Sequence, residues 1–294
     1  GGESTIYSGQ DQTEATDDSL PVFTFPADFN PAELPTRQWI ILGRILRGYI
    51  SVCVAPAGVG KTMFALIYAI MVATGKSLFP VEILETTNVL FLNNEDDEIE
   101  MKRRVAASCL HYEIPFSALT GKFFGLSGYG HSFLIAQRKL DNTVIAAPAA
   151  AKIINFCRSN KVGLLVVDPF VSTHDLSEND NTEIEKVISE YRLIAKETGA
   201  AILLIHHTRK IGNDSEAHAG DVEASRGASS LIGAARIAFT LSRMSKETAA
   251  KLGIDWRIGN RLVRLDDGKT NFTQKSEEAE WYQLVSVELP NDDA

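Results

Sequence analysis

The stretch Ser51–Thr62, S-V-C-V-A-P-A-G-V-G-K-T, constrains this chain more than any other. An apolar strand runs into a glycine-containing loop, and Lys61-Thr62 opens a helix. That order belongs to a parallel sheet with helices on its faces, and it makes a P-loop, the cradle for a nucleoside triphosphate. Backbone N–H groups from Ala57, Gly58, Val59 and Gly60, and from the helix start through Met63, converge on phosphate oxygens where the helix dipole also favours negative charge. Lys61 suits the β- and γ-phosphates, and the Thr62 hydroxyl suits the shell of a Mg²⁺ ion. ATP and Mg²⁺ are therefore the expected cofactors. The first glycine of the pattern G-x-x-x-x-G-K-[ST] is replaced by Ala55. Alanine leaves a strand without strain as long as φ stays negative, while Gly58 and Gly60 keep the turn permissive where backbone approaches phosphate.

At 294 residues and 45 % hydrophobic content the chain can bury one large α/β domain or two small ones. Cys53, Cys109 and Cys157 are far apart and lack C-x-x-C spacing, so they read as small core hydrophobes in a reducing compartment. The longest apolar run, Ala65–Ala73, falls far short of a membrane span, and no signal-peptide pattern opens the chain. A cytoplasmic protein without a membrane partner is expected. The net charge of −9 excludes a protein that coats duplex DNA with one basic face.

Residues 1–35 are expected to be disordered or extended. Positions 1–20 are almost wholly polar, and a segment of Phe and Pro follows that is too irregular for an element. From 36 to 290 one ATPase domain is expected. Strand and helix alternate there, the signature of a mostly parallel, twisted sheet flanked by helices. Strands are predicted at Tyr49–Ala55, Asn88–Asn93, Lys122–Ser127, Val162–Asp168, Ala200–His206 and Ile237–Met244. Arg261–Leu265 and Trp281–Glu288 read as an antiparallel hairpin at the sheet edge. Helices are predicted at Lys61–Thr74, Asp97–Leu110 with Asp96 or Asp97 as N-cap, Pro148–Asn160, and Glu183–Thr198 ending at Gly199.

Leu164-Leu165-Val166-Val167-Asp168 has the Walker B form, four apolar residues ending in an acid. Its carboxylate is expected to emerge at the carboxyl end of a strand, beside the P-loop in an open parallel sheet, where Asp168 can hold Mg²⁺ through water. Pro169 occupies the position where many ATPases carry a catalytic Glu. The base must then come from elsewhere, and Glu95, after the strand ending at Asn93, is the candidate; that strand end is also expected next to the P-loop. Ala200–His206 runs into His206-His207-Thr208-Arg209-Lys210. Adjacent strand residues alternate faces, so only one histidine can point at the γ-phosphate. A zinc site is disfavoured, since no Cys or third His sits at ligand spacing. Arg226, Arg236 and Lys269-Thr270-Asn271-Phe272 complete the set of candidate phosphate-facing groups.

The order of A-P-A-G-V-G-K-T-M, N-N-E-D-D, L-L-V-V-D and I-H-H-T-R-K resembles the RecA-like ATPase core. With A-S-R-G-A-S-S-L-I-G-A-A-R and the later K-T-N-F, it is more closely similar to the RepA-type hexameric replicative helicases, over roughly residues 40–285. The resemblance implies a ring of identical subunits, a hexamer in that family, acting on single-stranded DNA. It implies Lys61 and Thr62 at phosphate and Mg²⁺, Glu95 as base, Asp168 as Walker B acid, and His207, or else His206, as γ-phosphate sensor. Arg236 becomes the finger reaching a neighbouring subunit's site, and Lys269 and Asn271 approach the nucleotide across the same interface. Thr173–Thr182 and Thr208–Ser225 fall where that family places its channel loops, with Arg209 and Lys210 as DNA contacts. Both segments are acidic and lack Phe, Tyr and Trp, which opposes tight grip on a phosphate backbone. A switch ATPase that controls a protein partner without DNA is the alternative reading.

Overall fold

A computed structural model describes residues 22–130, 133–139, 143–178, 180–208, 216, 219–220, 222 and 229–291. The chain divides into two compact units, Gly1–Thr36 and Arg37–Ala294. In the described part of the first, Asn30 caps a single 3₁₀ turn at Pro31–Glu33 through the Ala32 N–H. Phe23, Phe25 and Phe29 meet edge to face, with ring centroids 5.6 and 4.9 Å apart, and all three rings are exposed.

In the second unit the described strands are β1 (Trp39–Ile41), β2 (Ile45–Leu46), β3 (Ile50–Pro56), β4 (Asn88–Asn93), β5 (Phe123–Ser127), β6 (Ala136–Arg138), β7 (Val144–Ala146), β8 (Val162–Asp168), β9 (Ala201–Thr208), β10 (Ile237–Arg243), β11 (Leu262–Thr270) and β12 (Glu280–Gln283). The helices are α1 (Lys61–Thr74), α2 (Glu98–His111), α3 (Pro148–Ser159), α4 (Asn181–Thr198), α5 (Ser229–Ala234), α6 (Lys246–Lys251) and α7 (Trp256–Gly259). Eight strands form one sheet in the order β12-β11-β10-β3-β9-β8-β4-β5. The run from β10 to β5 is parallel throughout, and β10-β11-β12 are antiparallel. The α/β class, the mostly parallel sheet and the C-terminal hairpin are thus as expected. The short hairpin β1-β2, the β6-β7 pair and helices α5–α7 carry too few residues to show a period in the sequence.

β8 is buried along its whole length and β3 along all but its last residue, as unbroken apolar runs must be when helices cover both faces of a parallel sheet. The two faces form separate cores. Cys53, Ala55, Phe91, Val166, Leu203 and Ile205 pack with the nearly all-apolar α1. Val52, Val54, Leu92, Val167, Ile202 and Leu204 pack against α3 and α4. Helices α1 and α4 stop at Gly75 and Gly199, whose φ of 75° and 67° let their N–H groups close back on the last turn.

One expectation fails. The strand that ends before Glu95, β4, is not the neighbour of the P-loop strand: β9 and the Walker B strand β8 lie between them. Parallel strands are joined by long crossovers, so chain order does not set spatial order. At about 4.8 Å per strand, Asp168 starts roughly 10 Å from the P-loop strand and Glu95 further still. What aligns them is the common carboxyl edge, where Pro56 faces Thr208 and Asn93 faces Asp168 in register.

Candidate nucleotide site

β3 ends at Pro56 and α1 begins at Lys61, and the loop between them turns through Gly58 and Gly60 at φ of 75° and 93°. Ala55 is fully buried in β3, and the only non-glycine residues with positive φ among those described are Glu113 and Lys161, so alanine is accommodated without strain. At φ 93° Gly60 holds a backbone conformation that L side chains rarely adopt, and a Cβ there would also push the tip of the Leu284 side chain, 2.9 Å away, aside. Gly60 caps α1 with no side-chain hydrogen bond. The first-turn N–H groups are left for an anion. Arg243, at the end of β10, braces the loop by donating from Nη2 to the Gly58 carbonyl at 2.7 Å.

Strand parity delivers the other groups. Asp168 shares the face of Leu164 and Val166, and Asn93 shares that of Val89 and Phe91, which is the α1 face. Asp168 is fully buried, and burial pushes its carboxyl up to about 6; the Thr62 hydroxyl and Lys61 hold that rise back, while Glu95 and Asp96 add to it. Thr62 is thus near, yet neither carboxylate oxygen meets normal hydrogen-bond geometry with any donor. A fully buried acid with two open oxygens beside a threonine hydroxyl fits a Mg²⁺ ion held through water. When bound, that ion would neutralise charge on the phosphates. Among the described residues no group of three or more His, Cys, Asp or Glu is placed to hold a metal by protein ligands alone.

At the end of β4, Asn93 is buried and its Oδ1 accepts from the N–H groups of Glu95 (2.8 Å) and Asp96 (2.7 Å). That turn fixes the acidic run residue by residue. Asp97 caps α2 by accepting from the Glu100 N–H. Asp96 pairs with Arg104, whose Nε is 3.0 Å away. Glu95 is left exposed, close enough to Asp168 and His207 to bear on their charge. Sequence leaves the cap open between Asp96 and Asp97 and holds no sign of Arg104, which reaches back to Asp96 from within α2.

The two histidines separate. His207 follows the parity of Ile205 onto the α1 face and lies near Lys61 and Glu95; burial and the Lys61 charge lower its pKa, and Glu95 opposes them. His206 points into the other layer, beside Phe170 and His174, so it does not share the phosphate face. Arg236, Lys269 and Asn271 are not brought to this P-loop. Arg236 is exposed at the start of β10, where its N–H donates to Ile50 at the amino end of β3, and Asn271 bonds back to Arg236. Lys269 donates from Nζ to the carbonyls of Ile232 and Gly233.

In the first loop, Asp175 accepts from the Arg138 N–H and Asp180 caps α4, so these acids have local partners. In the second, Glu216 accepts from Ser245 and Thr248 at the start of α6. Arg209, Lys210 and Arg226 lie outside the described residues, as does most of the segment from 208 to 225. Among the described residues no helix is long and apolar enough to cross a membrane.

A glycine-bent loop at a helix start, a buried open carboxylate and a nearby exposed Glu at one sheet edge are the parts a P-loop ATPase needs. Residues 16–213 match the family model of the AAA domain, which covers well over half of the chain and stops short of β10. The chain belongs to this AAA-domain family of P-loop ATPases.

Proposed function

We propose that this chain is the motor core of a ring-forming replicative DNA helicase of the RepA type, binding ATP and Mg²⁺ and acting on single-stranded DNA in the cytoplasm. In this reading Lys61 and the loop amides hold the phosphates, Glu95 accepts the proton of the attacking water, and His207 senses the γ-phosphate. The observation that carries the ring is the placement of Arg236, Lys269 and Asn271 at the amino end of the sheet, away from this subunit's P-loop. Such groups reach a phosphate only in a neighbouring copy, where an arginine stabilises charge on the transferring phosphoryl group. A hexamer is the closed ring the resemblance implies, with Arg209 and Lys210 toward the strand.

A second reading, a DNA-independent switch acting on a protein partner, is favoured by the acids of the first loop and by the net charge of −9. Steady-state ATP hydrolysis with and without single-stranded DNA, alongside mass in solution with ATP and Mg²⁺, separates the two. Several-fold stimulation and a ring-sized mass support the helicase core; turnover indifferent to DNA supports the switch. Mixing Arg236→Ala with Lys61→Ala protein tests the finger, because activity returns only if the two variants complete each other's sites.

A further inference from the structure

Glu95 is exposed, yet the backbone that carries it is held from three sides. Within its own turn, the buried Asn93 side chain accepts from the Glu95 and Asp96 N–H groups and donates from Nδ2 to the Asp96 carboxylate at 3.3 Å. From β5, the Gly128 N–H donates to the Asn93 carbonyl at 2.7 Å, and the Ser127 hydroxyl donates to the Asp96 carbonyl at 2.8 Å. A Cβ on Gly128 would overlap the Asn94 amide, so the β5 end packs directly against that side chain. From the Walker B side, the Asp168 carbonyl accepts from the Asn94 N–H at 3.0 Å, and the Ser172 carbonyl accepts from Asn94 Nδ2 at 3.1 Å. None of these bonds is needed to start α2, which Asp97 already caps. What they enclose is Glu95: its neighbours on both sides are pinned, one of them to the backbone of the buried acid itself.

We propose that Asn93 and Asn94 are positioning residues for hydrolysis, which together set Glu95 at a fixed place relative to Asp168. Asn93 does so through the turn, and Asn94 through the Walker B backbone. The chemistry calls for such a device because a base displaced by about 1 Å loses on the order of 10²-fold in rate although substrate still binds. Asparagine suits both positions, since one amide supplies an acceptor for backbone N–H groups and a donor for a carbonyl or carboxylate. The proposal rests on the reading of Glu95 as base, but it depends neither on DNA nor on a ring.

Single-turnover ATP hydrolysis, with a fluorescent ATP analogue titrated into the same preparations, tests this. Threonine and valine share a shape at position 93, but only threonine keeps an oxygen that can accept from the backbone two residues on. Asn93→Val should slow hydrolysis about 100-fold and Asn93→Thr about tenfold or less, with analogue affinity in both within about threefold of the parent. In the Glu95→Gln background Asn93→Val should cost less than about threefold more, because the group it positions is already gone. Asn94→Ala leaves the buried turn intact and should slow hydrolysis about tenfold, so it stays informative if the valine variant folds poorly. Equal rates for the threonine and valine variants overturn the proposal and leave the base reading standing, as does parent-like hydrolysis in Asn94→Ala. An undiminished loss from Asn93→Val on top of Glu95→Gln also overturns it, since the turn then acts on something other than Glu95. Near-normal hydrolysis in Glu95→Gln removes the base reading and the positioning together.

Discussion

Two buried aspartates stand four strands apart in the sheet, on β11 and β8, and are treated in opposite ways. Asp267, on β11, accepts from Arg44 of the β1-β2 hairpin and from the Ser276 N–H, and Arg44 reaches on to Glu280 of β12 at 2.8 Å. The Arg44 guanidinium also lies over the Phe239 ring, 5.6 Å from its centroid. That cluster ties the antiparallel strands to the core. Asp168 is buried at least as deeply, but its oxygens are open and its carboxyl is raised to about 6. An unpaired buried acid costs stability. The two differ on physical grounds: the satisfied aspartate holds the fold, and the open one carries a burial cost that no hydrogen bond offsets.

The sharpest break of that contrast is at the open end. Glu95→Gln should lower kcat for ATP hydrolysis by about 10²–10⁴. Its melting temperature and nucleotide affinity should stay near the parent's, as steady-state kinetics and a binding titration will show. Near-normal turnover removes Glu95 as base.

Exchanging each aspartate for asparagine comes next. Asp267→Asn should cost about 3 kcal/mol in denaturant unfolding, since it leaves the Arg44 charge only partly compensated. Asp168→Asn should keep or raise stability while abolishing Mg²⁺-dependent turnover. The pH dependence sharpens this. The folded pKa of Asp168 lies above its ordinary value of 3.8, so its contribution is fully present below that pH and is lost as pH rises through about 6. The parent should therefore lose roughly 3 kcal/mol across that window relative to Asp168→Asn, read from unfolding at several pH values.

Arg243→Ala removes the brace on the Gly58 carbonyl and should raise KM for ATP about tenfold with little change in kcat. An unchanged KM would mean that the loop holds its shape unaided. The smallest effect belongs to Ala55→Gly. Restoring the consensus glycine should gain no turnover and cost about 1 kcal/mol or less, because alanine already fits β3 at negative φ. A measurable rise in kcat would contradict that fit.

Much of the site is legible in the sequence. The P-loop is contiguous, so one stretch contains the turn glycines, the lysine and the threonine. Walker B is legible for a related reason: a buried parallel strand is an apolar run, and its terminal acid marks the carboxyl edge. Other parts are not legible. Arg104 on Asp96, Arg243 on Gly58 and Arg44 on Asp267 are contacts made by folding, and no arginine carries a local sign of its partner. The order of the strands departs from chain order because β9, the last of the four nucleotide-site strands in the chain, inserts next to the first. Phe116–Leu119, too short to show a period, forms a 3₁₀ turn through local bonds alone.

The fold class, the phosphate cradle and the identity of the buried acid need nothing beyond the sequence, because they follow from periodicity and backbone geometry over a few adjacent residues. Period-two alternation even requires His206 and His207 to face opposite ways. Which of them meets Lys61 is a tertiary matter, since that depends on which sheet face α1 covers. The same holds for the spacing of Asp168 and Glu95 from the P-loop and for the removal of Arg236 to the far end. Those relations are set by strand order and helix packing, and no local segment encodes them.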